Sequence, residues 1–297
     1  MALISRRDAG KLVLAGCAGA LIPAKELRST QMINSVIRGV QIGAQSYSFR
    51  DRPLDAAIEA FRTVGLGECE LSEIHVQPPS HKYEELKKWR LETPLEGFKE
   101  IRGKFDRAGV LLYAYTCDMQ SRFTDEEIER NFQMAQALGV KYITSSANVS
   151  AAPRIDKYAQ KYKIMVGFHG HDQTDRPDEF STEETFERGL KGASRYLGVN
   201  LDIGHFVAAG GDPVAFLKKY YQRTVALHIK DRKKNHGANV PFGQGDTPIV
   251  EVLRLMRDNH WKFPANIEYE YGKQIPGLDT ITEVKKCFDY CKQALEG

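Results

Sequence analysis

Ionisable side chains follow the ends of several apolar, strand-like runs in the second half of the chain. In the segment VNLDIGHF, residues 199–206, a buried-strand pattern ends at Asp202, and His205 follows three residues later. Neither a carboxylate nor an imidazole is stable in a dry core without a partner. Three further runs end in the same way, and their ionisable residues are His169, His171, Asp172, His228, Asp231, Arg232, Glu268 and Glu270. Imidazole and carboxylate groups together suit Mn, Fe, Co or Zn better than Ca.

Eight apolar runs rich in β-branched residues alternate with segments of helical period after residue 36. The predicted strands are 39–47, 69–74, 110–116, 141–147, 163–169, 198–203, 224–229 and 265–271. Segments that resemble capping boxes, at 124–127, 181–184 and 280–283, mark helix starts between or after them. Gly109, Gly139 and Gly198 precede strands and are predicted to end helices in the left-handed conformation.

Eight βα units in about 260 residues predict an α/β fold, a single-domain (β/α)8 TIM barrel. An open doubly wound sheet is the alternative, but it usually has a glycine-rich turn after its first strand. Here that turn reads SYSFRDRPLD.

The carboxyl ends of barrel strands form one rim, where TIM-barrel enzymes have their active sites. Taken singly, an Asp at a strand end is usually a helix cap, and a His is usually a hydrogen-bonded core residue. Ionisable groups on four adjacent strands are not explained by packing. The sequence therefore predicts a site for one divalent metal ion at the rim formed by the last four strands.

The N-terminus differs from the rest of the chain. Arg6 and Arg7 precede an apolar run, residues 12–22, which is too short to span a bilayer. This pattern resembles a twin-arginine export signal, so we expect residues 1–30 to be the signal and 36–297 to be the barrel. Residues 14–17 also resemble a lipobox with lipidation at Cys17, and simple cleavage near Ala24 is the alternative. We expect a periplasmic protein whose only membrane attachment would be a lipid at Cys17.

Composition limits the partners. The chain is 42% hydrophobic and 27% charged, with a formal charge of +3. Lys and Arg are scattered, so we expect no nucleic-acid partner. No Cys-x-x-Cys pair exists, which argues against a cysteine zinc site. A homo-oligomer remains open.

The motifs NLDIGHF, ALHIKDR with a following FGQGD, and NIEYEY are similar to those of the xylose-isomerase-like TIM-barrel superfamily, often labelled sugar phosphate isomerases/epimerases. The resemblance covers residues 36–295. It implies one divalent ion, with Mn favoured over Co, Zn or Mg, bound by Asp202, His228, Glu268 and a residue of the fifth strand. It implies that Glu270 supports the site or contacts substrate.

The chain departs from the epimerase branch at the fifth strand. That branch has a glutamate there, which pairs with the glutamate of the eighth strand for proton transfer. Here His169 and His171 stand in its place, similar to inosose dehydratase-like members. Either histidine could bind the metal, and we favour His171. Glu268, His169 and Glu270 are then the candidate catalytic residues.

Polar and aromatic residues at other strand ends suit a sugar, since sugar sites combine aromatic faces with groups that bind hydroxyls. The candidate substrate-binding residues are Tyr47, Glu73, His75, Tyr115, His205, Asp231 and Arg232. We therefore predict an isomerase or epimerase that forms an enediolate from a non-phosphorylated keto- or aldo-sugar.

The sequence leaves two alternatives open and argues against a third. A lyase, dehydratase or hydratase acting on a keto-sugar or 3-keto-glycoside needs only one base beside a polarised carbonyl. A non-catalytic periplasmic sugar-binding barrel would bind sugar without metal. The apurinic endonuclease branch needs an Asp-x-His in the loop at 231–246, which this chain lacks.

Overall fold

The computed structural model describes residues 31–297. The predicted export signal, with Arg6, Arg7, Cys17 and Ala24, lies outside the described residues.

Eight parallel strands close into a barrel. They are β2 (Val40–Gln45), β3 (Glu68–Ser72), β4 (Leu111–Thr116), β5 (Tyr142–Ser145), β6 (Met165–His169), β7 (Leu197–Asp202), β8 (Thr224–Ile229) and β9 (Ala265–Ile267). Each strand pairs with the next, and β2 also pairs with β9, which closes the sheet. A short strand, β1 (Val36–Ile37), pairs antiparallel with β2. The predicted (β/α)8 fold is confirmed, and predicted strands one to eight are β2 to β9.

Helices connect consecutive barrel strands. The α-helices within residues 31–297 are α1 (Leu54–Val64), α2 (Tyr83–Glu92), α3 (Glu96–Ala108), α4 (Asp125–Ala137), α5 (Ala152–Tyr162), α6 (Glu183–Leu190), α7 (Ile203–Ala208), α8 (Pro213–Tyr220), α9 (Ile249–Asp258) and α10 (Thr280–Glu296). Short 3-10 helices lie at Ser46–Phe49, Glu73–His75, Val149–Ala151, Tyr221–Arg223 and Tyr271–Lys273. Among the described residues, no helix has both the length and the apolar character needed to cross a bilayer.

Helix ends follow the sequence signals with small shifts. Thr124 and Glu127 form the predicted capping box of α4. The other two helices begin one residue away from the prediction, because Thr182 caps α6 and Asp279 caps α10. Gly109 and Gly139 are left-handed, with φ of 70° and 69°. The same prediction for Gly198 is wrong, since that residue lies inside β7.

The apolar core lies between the barrel and its helices. Buried Phe residues from α1, α3, α4, α6 and α8 pack in it, among them Phe61, Phe105 and Phe132. The barrel interior differs, because fully buried polar side chains lie there on several strands. They are Glu68, Glu70, Asn200, His228 and Asn266. Burying such groups is costly unless they are paired. Their partners in the barrel interior are therefore part of the site described below.

Candidate metal centre and active site

A cavity of about 400 Å³ opens at the carboxyl ends of the barrel strands. Its charged and imidazole lining comes from opposite sides of the barrel and comprises Glu73, Asp118, His169, His171, His205, Lys230, Glu268 and Glu270. Two larger hollows, of about 520 and 510 Å³, lie on the outer surface between helices and lack such a cluster. The cavity at the rim is therefore the candidate site.

Four donor groups converge at one side of this cavity. One ligand atom each from His169, Asp202, His205 and Glu268 lies within 4.8 Å of the others. They come from the ends of β6, β7 and β9 and from α7. Two imidazoles with two carboxylates form a donor set that suits a transition-metal ion. We refer to these four residues as the donor cluster.

At the end of β7, Asp202 caps a helix with one carboxylate oxygen and leaves the other oxygen for the donor cluster. Its Oδ1 accepts a hydrogen bond of 2.7 Å from the backbone N–H of His205 and so caps α7. Its Oδ2 is buried and accepts no well-directed hydrogen bond among the described residues. Glu268 Oε2 and His169 Nδ1 share that condition. The ammonium of Lys230 lies near two of these atoms, and the donor set of two imidazoles and two carboxylates also fits a divalent metal ion.

Lys230 lies at the centre of the cluster, although it was absent from the predicted site residues. Its Nζ is 3.0 Å from Asp202 Oδ2, 2.7 Å from Glu268 Oε2 and 2.8 Å from Glu270 Oε2. Burial alone would lower the pKa of Lys230, but these carboxylates raise it well above the usual value. The two-residue period of β8 put Lys230 on the face of His228 and was the signal that could have found it.

His228, one of the predicted ligands, lies beneath the donor cluster in this structure. Its Nε2 is 2.9 Å from Glu70 Oε1, and its Nδ1 is 3.4 Å from Glu268 Oε2. Although burial would lower the pKa of His228, the two carboxylates raise it well above its usual value. His228 therefore supports Glu268 by charge from below. Glu70, which was not among the predicted site residues, holds His228 in place.

His169 belongs to the donor cluster, and His171, the ligand that the sequence favoured, lies beside it. The two rings pack edge to face with centroids 4.8 Å apart, and His171 lies 5.4 Å from the ring of His205. Burial and nearby imidazoles depress the pKa of His169 well below its usual value, and burial with His205 and Lys230 lowers the pKa of His171 to about 4. Both rings are neutral near pH 7, and neutral imidazole is the form that binds metals.

Arg232 lies behind His205 rather than facing the cavity. Its Nη2 is 3.0 Å from Asp172 Oδ2, and its Nη1 is 2.6 Å from His205 Nδ1. Asp172 Oδ1 is also 3.3 Å from His205 Nδ1. These contacts orient the imidazole so that Nε2 faces the donor cluster. Arg232 thus positions His205. It was predicted to contact substrate, but it is not part of the cavity lining.

Asp231 faces away from the cavity, so its predicted substrate contact is wrong. Its carboxylate accepts hydrogen bonds from the backbone N–H groups of Gly243 (2.8 Å), Gly245 (2.9 Å) and Thr247 (3.3 Å). Consecutive residues of an extended chain point to opposite sides. Because Lys230 points into the barrel, Asp231 points out and holds the following loop.

The cavity lining from the first strands includes two of the four substrate residues predicted there. Tyr47 and Glu73 line the cavity. His75 instead lies 3.0 Å from Ser46 Oγ, and Tyr115 is fully buried with its hydroxyl 3.9 Å from Met134 Sδ. Tyr115 lies on the helix-facing side of β4, so its assignment to the substrate site is wrong.

Glu73 shares this part of the lining with Asp118. Its Oε1 accepts a hydrogen bond of 3.2 Å from the backbone N–H of Asp118, while its Oε2 is buried without a partner in the described part of the chain. Burial and the neighbouring Asp118 raise the pKa of Glu73 to about 8, and burial raises the pKa of Asp118 to about 6. Glu73 can therefore donate a proton near neutral pH.

Residues 100–291 match the family model described as xylose isomerase-like TIM barrel. This segment is more than half of the chain. The chain belongs to that family. The comparison with curated proteins gives no match.

Several solved structures have the same fold as this chain, although their sequence identity to it is low. The probable 3-DHS dehydratase AsbF of Bacillus anthracis has a TM-score of 0.62 at 14% identity, over 86% of this chain and 98% of that one. The IOLI protein, whose structure contains a zinc atom, has a TM-score of 0.64 at 15% identity, over 86% and 98%. The 3-keto-D-glucoside 4-epimerase YcjR of E. coli has a TM-score of 0.63 at 12% identity, over 86% and 99%. At these identities the likeness establishes the fold alone, and the structural neighbours include both an epimerase and a probable dehydratase.

Proposed function

We propose that this protein is a metal-dependent isomerase or epimerase that moves a proton beside the carbonyl of a non-phosphorylated sugar. The observation that carries the proposal is the donor cluster, with its buried acceptor atoms, at the edge of a 400 Å³ cavity. The zinc atom of the similar IOLI structure supports a metal at such a site.

The charge of the cavity favours a substrate without phosphate. Four acidic side chains line the cavity: Glu73, Asp118, Glu268 and Glu270. The lysine in the lining, Lys230, is already paired with Glu268 and Glu270. Phosphate recognition requires free cations or backbone N–H groups aimed at the anion. A polyhydroxylated neutral sugar fits this lining better.

Proton transfer needs groups on both faces of the substrate carbon. A divalent ion at the donor cluster would polarise the sugar carbonyl and acidify the adjacent C–H. We assign the removal of that proton to Glu268, whose carboxylate lies 3.4 Å from the buried imidazole of His228. The substrate then becomes an enediolate.

Glu73 is the candidate for returning the proton. It follows β3, which is two strands from β9 in the closed barrel, and it lines the same cavity as Glu268. Return to the same carbon from the opposite face gives the epimer, and return to the neighbouring carbon gives the isomer. His169 belongs to the donor cluster and Glu270 contacts Lys230, so we assign the return of the proton to Glu73 instead of these earlier candidates.

Exchange with deuterated water tests this assignment. A panel of keto- and aldo-sugars is incubated with the manganese-loaded protein, and deuterium incorporation and product are followed by NMR. We expect one carbon to gain deuterium as product forms. Glu73→Gln should retain exchange into the starting sugar but lose most of the product, whereas Glu268→Gln should lose both. Exchange with no sugar of the panel would refute the proposed reaction.

Elimination of water is the second candidate function, and the imidazole of His169 at the usual glutamate position favours it. A lyase needs one base and an acid for the departing hydroxyl, and the dehydratase AsbF shares the fold. The same NMR experiment separates the two functions, because a keto-sugar or 3-keto-glycoside would then give an unsaturated product instead of an isomer.

We also propose that residues 1–30 direct export to the periplasm through the paired arginines Arg6 and Arg7. Replacing both arginines by lysine should leave the protein in the cytoplasm of a bacterial host. Fractionation that finds the variant still exported would contradict this assignment.

A further inference from the structure

The ammonium group of Lys230 occupies the space toward which the donor cluster points. Its Nζ lies 3.0 Å from Asp202 Oδ2, 3.0 Å from His205 Nε2 and 2.7 Å from Glu268 Oε2. Three of the four donor residues thus contact one nitrogen atom. The side chain is only 2% exposed.

The backbone fixes Lys230 in this place. A Cβ added at Gly204 would lie 3.0 Å from Cβ and Cγ of Lys230 and 2.8 Å from its carbonyl oxygen. The stem of the lysine therefore packs directly on the Asp202–His205 turn, where a side chain would push it away. The lysine is part of the built site and is not a surface residue that happens to reach it.

We propose that Lys230 is a built-in cation that competes with the divalent ion for the donor cluster. The inference rests on the proposed metal dependence but not on the reaction assigned to it. An ammonium and a divalent ion cannot share carboxylate oxygens at these distances, because like charges repel strongly in a buried site. Binding of the ion must therefore move Nζ out of the cluster.

Glu270 provides the place to which Nζ moves. Its Oε2 is 2.8 Å from Lys230 Nζ and is not a member of the donor cluster. Its Oε1 already accepts a hydrogen bond of 2.9 Å from Lys273 Nζ. The displaced ammonium thus keeps one carboxylate partner at the cavity. Without metal, Lys230 keeps Asp202 and Glu268 paired, so the folded protein does not depend on the ion.

Titration calorimetry with Mn²⁺ on chelator-treated, folded protein tests the competition. We expect Lys230→Met to bind Mn²⁺ at least tenfold more tightly than the wild type, and Lys230→Gln, which keeps a polar partner for the carboxylates, to do the same if the methionine variant does not fold. Lys273→Met is the matched control, because it removes the other lysine of Glu270 without touching Asp202 or Glu268. It should leave Mn²⁺ affinity within about twofold of the wild type.

The outcomes separate this inference from the proposed function. Equal or weaker Mn²⁺ binding by both Lys230 variants, with a wild type that binds, would overturn the competition and leave the metal-dependent function intact. Binding by the Lys230 variants alone would support the competition and show that the wild type uses the lysine in place of a metal. No binding by any variant would overturn both.

Discussion

Glu70 Oε1 lies 2.9 Å from His228 Nε2, and both side chains are fully buried in the barrel interior below the site. Thr144 and Thr116 donate hydrogen bonds to the same oxygen at 2.6 and 2.8 Å, and Asn266 donates to Oε2 at 2.9 Å. Burial would raise the pKa of Glu70, but His228 and these donors lower it to about 2. Glu70 therefore holds His228 in place, and His228 Nδ1 lies 3.4 Å from Glu268 Oε2.

Removing the charge of Glu70 should destabilise the fold. Glu70→Gln leaves His228 without its main counter-charge, and breaking a buried pair in this way costs about 3 kcal/mol or more. Thr144→Val, which removes one hydrogen bond from the same carboxylate, should cost only about 1 kcal/mol. Urea unfolding at pH 7 measures both. Equal small losses would show that the pair contributes little.

The same pair gives a pH dependence. A carboxyl with a depressed folded-state pKa stabilises the protein above its unfolded pKa of 4.5, and this contribution is lost as the pH falls toward about 2. The free energy of unfolding of the wild type should therefore fall more steeply below pH 4.5 than that of Glu70→Gln. Parallel curves would contradict the assignment.

The contribution of Glu73 to the free energy of unfolding should depend on pH in the opposite sense. Its pKa in the folded protein is raised from 4.5 to about 8, so its contribution is complete below pH 4.5 and is lost as the pH rises through about 8. The groups that face it are Asp118 and Arg90. Between pH 5 and pH 9, Glu73→Gln should gain about 1 kcal/mol or more relative to the wild type. The exposed Glu92→Gln should show no such gain in thermal or urea unfolding.

Asp202 and Asp231 form a second matched pair of variants. Asp202→Asn keeps an oxygen to cap α7 but removes one charge of the donor cluster, so Mn²⁺ affinity should fall at least tenfold, while the cap and the two remaining ion pairs of Lys230 limit the loss of stability. Asp231→Asn weakens the hold on the loop after β8 and should lower stability while Mn²⁺ affinity stays near the wild-type value. Calorimetry and thermal unfolding together measure this contrast. Loss of affinity in both variants alike would contradict the placement of Asp231.

Gly204→Ala should disturb the site through the stem of Lys230. The added methyl group would crowd the Lys230 backbone and Cβ, and overpacking of this kind costs about 1–3 kcal/mol. Gly97→Ala in α3, where nothing lies within 4 Å of the new Cβ, should be neutral or stabilising. A Gly204→Ala protein as stable as the wild type would show that the turn can yield.

The fold followed from the sequence because each strand carries its own signal of apolar residues, and only the ends moved. The last predicted strand, 265–271, ends at Ile267 in the structure, since Glu268 and Glu270 already belong to the site. The prediction that Gly198 ends a helix was wrong because a glycine before a valine fits a helix end and a strand equally well.

The donor cluster was harder to predict residue by residue. Strand parity brought His169, Asp202, His205 and Glu268 to one rim, but it does not fix the depth at which a side chain lies. His228 lies deeper than its motif suggests because Glu70, on the opposite side of the barrel, binds it. Lys230 was not among the predicted site residues because a lysine at a strand end usually reaches solvent. The two-residue period places it on the face of His228 but does not show that three carboxylates surround it.

A crystal structure of the protein soaked in Mn²⁺, with an anomalous difference map, tests the central claim most directly. The account predicts one strong peak among His169, Asp202, His205 and Glu268, with Lys230 Nζ withdrawn toward Glu270. Lack of a peak there, or a peak elsewhere while Lys230 still contacts Asp202 and Glu268, would contradict it.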